Sequence, residues 1–599
     1  MHKFNFQVNL EGIIDILSNH LYSEERVFIR ELLQNATDAI SARKRLDPAV
    51  EGEISLEIIE KDNENPAQLI VEDNGIGLTE QEVHEFLSNI GSSSKRDELS
   101  LKRQDFIGQF GIGLLSCFMV THEIVMITKS YKGGRAIEWI GNSDGSYSIK
   151  QLERDFEPGT KIYLKAKPGK NLLFVPSKIQ EIVRYYGDLL PYPVYLLNPY
   201  GKEIINEGIA PWEKYFDTKS EERVEFMDFG KKHFDLNFID YIPIKTNYGE
   251  AEGVAYILPY ETNPSAKKTN KVFLKNMLVS EKVDNILPDW AFFVKCIINV
   301  QNLRPTASRE GFYEDENLFQ TKNEIGEIFK AYFLELEKTN PEKLKKLYVI
   351  HYHSMNALAL HDDEFFKIII NYIPFETASG HLTIPEFERH SGIIRHIPDV
   401  DEFKQIAGVA HAQGIPIINS GYTYKRELLE KLEKVFPEKK VNQVSTEQFI
   451  EQFENLNEDE LNQVDAFFKI AEETLWEFKC VPIIKKFDPV NIPTLYSKDE
   501  FMGFLKSANK SKDVSNNLWG GIINSITNEE FAMANASLCF NYNSPLIRKM
   551  VSVGDEDKLA LFIKVIYVQA LMLGHHPLQA NEMKILSEGL VDLIDLSLH

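Results

Sequence analysis

Cysteine is nearly missing from this chain. Four residues in 599, Cys117, Cys296, Cys480 and Cys539, are scattered without paired spacing. That argues against a disulfide framework or a cysteine zinc site and for a reducing compartment, so a cytoplasmic protein is expected. A basic surplus is missing too. Asp and Glu number 90 against 66 Lys and Arg, a formal charge of −24, whereas a constitutive nucleic-acid binder needs a basic surface to displace counterions. No run of about 18 apolar residues exists, so no membrane span is expected. The opening MHKFNFQVNL lacks an apolar signal core, and the closing DLIDLSLH carries no lipidation or retention signal. There is no internal repeat and no low-complexity tract.

What is present is a soluble globular balance, 43% hydrophobic and 26% charged, in a chain too long for one core, so two to four domains are expected. Helical patterning from Leu10 to Arg43 is followed by strand patterns near 53–60 and 67–72, a helix over 80–87, and strands near 123–129, 135–140 and 159–165. This interleaving predicts an α+β sandwich. Residues 91–105 are polar and charged and read as a mobile segment. Turn formers at 198–214 and DPVNIPTLY at 488–496 mark boundaries. Two helices are expected near the C-terminus. The first, Lys558–Leu573, is apolar on nearly every face and should be buried in a core or a partner.

Three motifs carry chemistry. In ELLQNATDAI, at roughly 100° per residue, Glu31, Asn35 and Asp38 share an arc of roughly 60° while Leu32, Leu33, Ala36 and Ile40 point elsewhere. In VEDNGIGLT, Asp73 emerges from a strand end, where its carboxylate can accept from an exocyclic amine of a purine. Gly75 and Gly77 follow, and Gly77 lets a base approach the backbone. In IGQFGIGL, Gly108, Gly111 and Gly113 precede the helix-like LLSCFMV, and backbone N–H groups at a helix start bind phosphate. Alone, each has a plain reading: a wetted helix face, a hairpin turn, a structural loop. The third is neither a Walker loop, lacking Lys-Ser or Lys-Thr, nor a dinucleotide fingerprint, since no strand leads into it.

Their order is more specific. RELLQNATDAI, DNGIGLT, NIGSSSK, IGQFGIGLLSCFMV and GTKIYL in sequence resemble the ATPases that include gyrase, histidine kinases, MutL and the ninety-kilodalton heat-shock chaperones, most of all the last, in their bacterial type. The likeness continues through YYGDLLPYPVYL and ILPDWAFFVKCIINVQNLRPTASRE. It implies an N-terminal α/β sandwich ATPase of the Bergerat type over 1–205, an α/β middle domain over 215–487 and a helix-rich dimerisation domain over 495–599. It also implies ATP and Mg2+ as cofactors. Glu31 would be the general base and Asn35 the ligand of the magnesium on the phosphates. Asp38 would support the pocket, and Asp73 would read adenine with Gly77 and with Thr160 through a shared water. Asn89 and Lys95 would belong to a lid. Gly108, Gly111, Ile112, Gly113 and Leu114 would lie along the phosphates, and Arg309 would reach the γ-phosphate from the next domain.

The expected protein is an ATP-driven, homodimeric chaperone of unfolded or partly folded clients. Nucleic acid and membrane are not expected partners. The acidic linker and C-terminal pentapeptide of eukaryotic members are absent, so tetratricopeptide co-chaperones are not expected either. The arginine loop departs from the family in having Thr306 where Asn is common. A gyrase- or MutL-type ATPase, or a nucleotide-gated scaffold without useful hydrolysis, are the rival readings. His351 and His353 around Tyr352 have no further ligand at metal spacing. His575 and His576 sit in a helix break and read as structural, and Cys117 reads as core.

Overall fold

The computed structural model describes residues 24–87, 113–262, 269–281, 283, 285–306, 311–498 and 536–598. The protein is an α+β multidomain molecule. It divides into two compact units, Met1–Ser354 and Met355–His599.

The first unit holds an eight-stranded sheet: β1 (Ile54–Ile59), β2 (Gln68–Asp73), β3 (Glu123–Lys129), β4 (Ile137–Asn142), β5 (Tyr147–Gln151), β6 (Gly159–Lys165), β7 (Val194–Asn198) and β8 (Gly201–Ile204). Their spatial order is β5-β4-β3-β6-β2-β1-β7-β8. β1 and β7 run parallel and the other neighbours antiparallel. Alternation sets the faces: Ile124, Met126 and Thr128 of β3 are buried in turn while the residues between them are half-buried. On the buried side, the helices Val27–Leu46 and Pro176–Gly187 contribute Leu32, Leu33, Ala36, Ile40, Ile179 and Val183 to one core with Leu56, Leu69, Val71 and Leu164 of the strands. Each such Leu, Ile or Val side chain contributes about 1.5–3 kcal/mol through burial. The apolar positions of the first helix therefore point inward as their spacing predicts.

Three elements differ from the sequence reading. LLSCFMV is not an α-helix but a 3-10 run, Gly113–Met119. The Ser116 hydroxyl donates to the Gly113 carbonyl at 2.7 Å, three residues back, which matches the tighter turn. Strands β5 and β8 were not anticipated, because β8 is exposed throughout and β5 nearly so, leaving no alternation to detect.

A second sheet in the same unit comprises β9 (Asp240–Lys245), β10 (Ala251–Ile257), β11 (Lys271–Leu274), β12 (Met277–Ser280) and β13 (Val294–Val300), in the order β12-β11-β13-β10-β9. The helix Lys219–Phe234 leads into it. Thr218 caps its start by accepting from the Glu221 N–H at 3.2 Å, and Asp235 ends it in the left-handed region. At the edge of this sheet the buried Asp240 carboxylate takes hydrogen bonds from Lys343, Arg223 and the Tyr332 hydroxyl, the last at 2.5 Å. Burial alone would raise its pKa; those three donors outweigh burial and hold it below the ordinary value.

Where the first sheet gives way to the second, Asp188 follows the helix Pro176–Gly187, and its Oδ1 accepts from the Glu207 N–H at 3.1 Å. His233, in the last turn of Lys219–Phe234, lies beside it with Nε2 3.8 Å from Asp188 Oδ2. Burial, with Lys271 and Lys232 nearby, pushes the imidazole down to about 3, so it is neutral.

The second unit contains a five-stranded sheet over residues 375–443 and a three-stranded sheet formed by Cys480–Lys485, Ala536–Asn541 and Thr494–Lys498. Three closing helices follow rather than two. The extra one, Pro545–Val551, is too short for periodicity to register. Glu556–Leu573 buries Leu559, Ile563, Ile566, Tyr567, Val568 and Leu571 but leaves Met572 and Leu573 about half exposed. His576 packs edge-on to Tyr496 with centroids 4.7 Å apart, and the four cysteines are buried and form no disulfide. No described helix is long and apolar enough to cross a membrane.

Candidate functional site

The helix Val27–Leu46 is the spine of the site. Its polar stripe is not uniformly wet. Glu31 and Asp38 are buried, at 2% and 3% exposure, whereas Asn35 between them is exposed. A carboxylate in an apolar core needs a partner, and Arg30, equally buried, supplies one. Its Nε and Nη2 donate to Glu31 Oε1 at 3.2 and 3.1 Å. The guanidinium also lies over the Tyr186 ring, 5.8 Å from its centroid. The other carboxylate oxygen lies against the start of the 3-10 run, since a Cβ on Gly113 would land on Glu31 Oε2. Gly113 and Leu114 are half-buried here. Burial, and next the Glu31 charge, push the Cys117 thiol up, which leaves it an inert core residue.

Two turns further along the same helix, the DNGIG turn docks. The Ile76 N–H donates to the Ala39 carbonyl at 3.0 Å. Arg43 Nη1 donates to the carbonyls of Asn74 and Pro158, at 2.8 and 3.1 Å, clamping this turn to the start of β6. Gly77 adopts φ +61°, and a side chain there would strike the Lys129 carbonyl.

Asp73 ends β2 directly opposite Thr160 on β6. Its Oδ1 accepts from the Gly75 N–H at 2.9 Å. Burial, and less strongly the neighbouring Glu72, push its carboxyl up to about 7 against the opposing effect of the Gly75 and Thr160 backbone donors. The Thr160 hydroxyl lies 3.1 Å from that of Thr128, which also accepts from the Leu78 N–H at 3.0 Å. The sheet, the turn and the polar cluster are thereby tied into one wall.

From Glu31 to Ala39 the helix rises about 12 Å, so the acid–glycine contact and the Asp73 turn stand at opposite ends of one stripe with Asn35 between them. The donor set fits a purine nucleotide. A carboxyl suited to an amine lies at one end, a glycine backbone beside a buried carboxylate at the other, and an exposed amide oxygen of the kind Mg2+ accepts stands midway.

Residues 22–157 match the family described as histidine kinase-, DNA gyrase B-, and HSP90-like ATPase. Chaperone protein HtpG of Chlorobium chlorochromatii is 26% identical over 376 residues, 58% of this chain and 58% of that protein. HtpG of Chlorobaculum tepidum is 25% identical over 460 residues, covering 72% and 71%. The mitochondrial TNF receptor-associated protein 1 homolog of Dictyostelium discoideum is 28% identical over 368 residues, covering 57% and 50%. The chain is thus similar to HSP90 proteins of the HtpG kind. It spans between half and about seven tenths of the length of these three relatives.

Of the residues singled out by sequence in this HtpG-like chain, the structure places Glu31, Asn35 and Asp38 on one helix, Gly113 against Glu31, and Asp73, Gly77 and Thr160 around one turn. Asn89, Lys95, Gly108, Gly111, Ile112 and Arg309 lie outside the described residues. The arginine loop is nonetheless closed at its base, where Pro305 bridges Phe312 and the Thr306 N–H donates to the Gly311 carbonyl at 2.9 Å. The Thr306 hydroxyl reaches the same carbonyl at 3.3 Å. Sequence reasoning passed over Arg30, Arg43 and Thr128. A charged residue inside the apolar run VFIRELL was the available signal for the first.

Proposed function

We propose that the chain is an ATP-dependent chaperone. The observation that carries this reading is the buried Glu31 carboxylate, gripped by Arg30 on one oxygen and set against the Gly113 backbone on the other, at the far end of the stripe from Asp73. Adenine is read at Asp73, Gly77 and Thr160, and the phosphates lie toward Gly113 and Leu114, with Gly108, Gly111 and Ile112 of the same loop. Asp38 orders the pocket. Asn35 would hold a Mg2+ ion, which when bound would neutralise phosphate charge. Glu31 orients water and takes its proton, a contribution of about 10²–10⁴-fold.

Asn89 and Lys95 close over the nucleotide, and Arg309 stabilises charge developing on the γ-phosphate. The chain works as a cytoplasmic homodimer on unfolded or partly folded clients, and lid closure and N-terminal association are the steps that ATP drives. Two variants test this. Glu31→Ala binds ATP with near-normal affinity in calorimetry but loses at least about 10²-fold in steady-state turnover, whereas Asp73→Asn fails to bind. Normal turnover in Glu31→Ala would sink the base assignment.

A further inference from the structure

Asp188, Glu207 and His233 converge where the eight-stranded sheet meets the helix that leads into the second sheet, with one ligand-type atom from each within 4.8 Å of the others. They come from three separate pieces of chain, brought together by the fold. Asp188 is fixed: its backbone carbonyl accepts from Glu207 and Gly208 at 3.0 and 2.9 Å, and its Oδ1 again from the Glu207 N–H. That leaves Oδ2 facing His233 at 3.8 Å, beyond hydrogen-bond reach. The His233 side chain is 7% exposed, and its Nε2 is buried with no hydrogen-bond partner among the described residues. A buried ring nitrogen aimed at two carboxylates and satisfied by neither is costly for the fold, about 1–3 kcal/mol. The Glu207 carboxylate is meanwhile held by Lys232, with Lys271 and Arg184 adding positive potential around Asp188.

We propose that these three residues form a binding site for a divalent transition-metal ion, with zinc as its representative. The imidazole supplies a nitrogen lone pair and the two carboxylates neutralise the ion. A mixed nitrogen–oxygen set selects zinc-like ions over Mg2+ or Ca2+, which prefer all-oxygen shells. Zinc bonds to such ligands are about 2.0–2.2 Å, which places tetrahedral ligand atoms about 3.3 Å apart. The cluster must therefore tighten, and the Glu207 side chain, a quarter exposed, is the part able to swing. Its exposed side also admits water as the fourth ligand. Lys232 is the resident competitor, a countercharge the ion must displace. Bound metal would pin the end of the helix Pro176–Gly187 to the last turn of Lys219–Phe234 and stiffen that joint.

The test is titration of the metal-stripped full chain with Zn2+ against a chromophoric chelator, in excess Mg2+, for wild type, His233→Gln, Glu207→Gln and Lys232→Ala. The expected result is one tight equivalent in wild type, weakened at least about tenfold in His233→Gln and Glu207→Gln and strengthened in Lys232→Ala, which frees Glu207. Zinc should also raise the melting temperature of wild type but not of His233→Gln. Glu207→Gln, at a partly exposed position, keeps the test informative if the histidine variant folds poorly. Absence of a tight equivalent in wild type, or uptake that both ligand substitutions leave unchanged, overturns the proposal.

Discussion

At Gly113 the missing side chain is the functional feature. A methyl group there would clash with Glu31 Oε2, so Gly113→Ala must push the carboxylate away from its Arg30-held pose. Misplacing a reacting group by about 1 Å costs about 10²-fold in rate. The expected outcome is a fall in turnover of that order with a much smaller change in ATP affinity, read by pairing steady-state hydrolysis with calorimetric binding. Asp73 makes a different prediction. Its carboxyl is pushed up to about 7, chiefly by burial. An adenine amine donates to the ionised form and so lowers that pKa. ATP binding at pH 7 should then release part of a proton, seen as a binding enthalpy that varies with the ionisation heat of the buffer. Nucleotide affinity should fall between pH 8 and pH 6. Buffer-independent enthalpy would show that Asp73 does not contact the base.

Among the elements, the Asp240 cluster joins β9 to the helices Lys219–Phe234 and Glu316–Thr339 through Arg223 and Tyr332, with Lys343 as a third donor. Asp240→Ala strands these donors and should cost about 2 kcal/mol, discounted because Arg223 is half exposed. The folded-state pKa of Asp240 is depressed, so its contribution is complete above the unfolded value of about 3.9 and disappears as pH falls through the lower, folded value. Denaturant melts should therefore show the full gap between wild type and variant at pH 6 and a shrinking gap only below about pH 4.

This cluster was invisible in the sequence, since its members are as much as 120 residues apart and carry no local pattern. Elements with a buried face were legible: β3, β6 and the helix Glu80–Leu87 fall where periodicity places them. Glu31, Asn35 and Asp38 share a face as their spacing requires. Their unequal burial does not follow from spacing, because it depends on what packs above the helix. The polar strand β8 was lost in turn-rich sequence for the opposite reason: nothing buries it.

On the scale of the whole molecule, the homodimer proposed here should compact when nucleotide binds. Small-angle scattering of the full chain, apo and with a non-hydrolysable ATP analogue, should give a smaller radius of gyration for the complex. A monomer insensitive to nucleotide would leave only the pocket standing. One further consequence follows from the parallel pairing of β1 with β7. The strand next to the Asp73 strand takes its outer neighbour from residues 194–197, and the Asn206 amide then secures that neighbour by accepting from Val194 N and donating to the carbonyls of Leu190 and Tyr192. A ribosome making this protein must therefore extrude the chain as far as Asn206 before the sheet beneath the pocket can close, because late pairings across long loops form slowly. Nascent chains halted before Asn206 should be unable to capture ATP, although every residue assigned to adenine has already been synthesised.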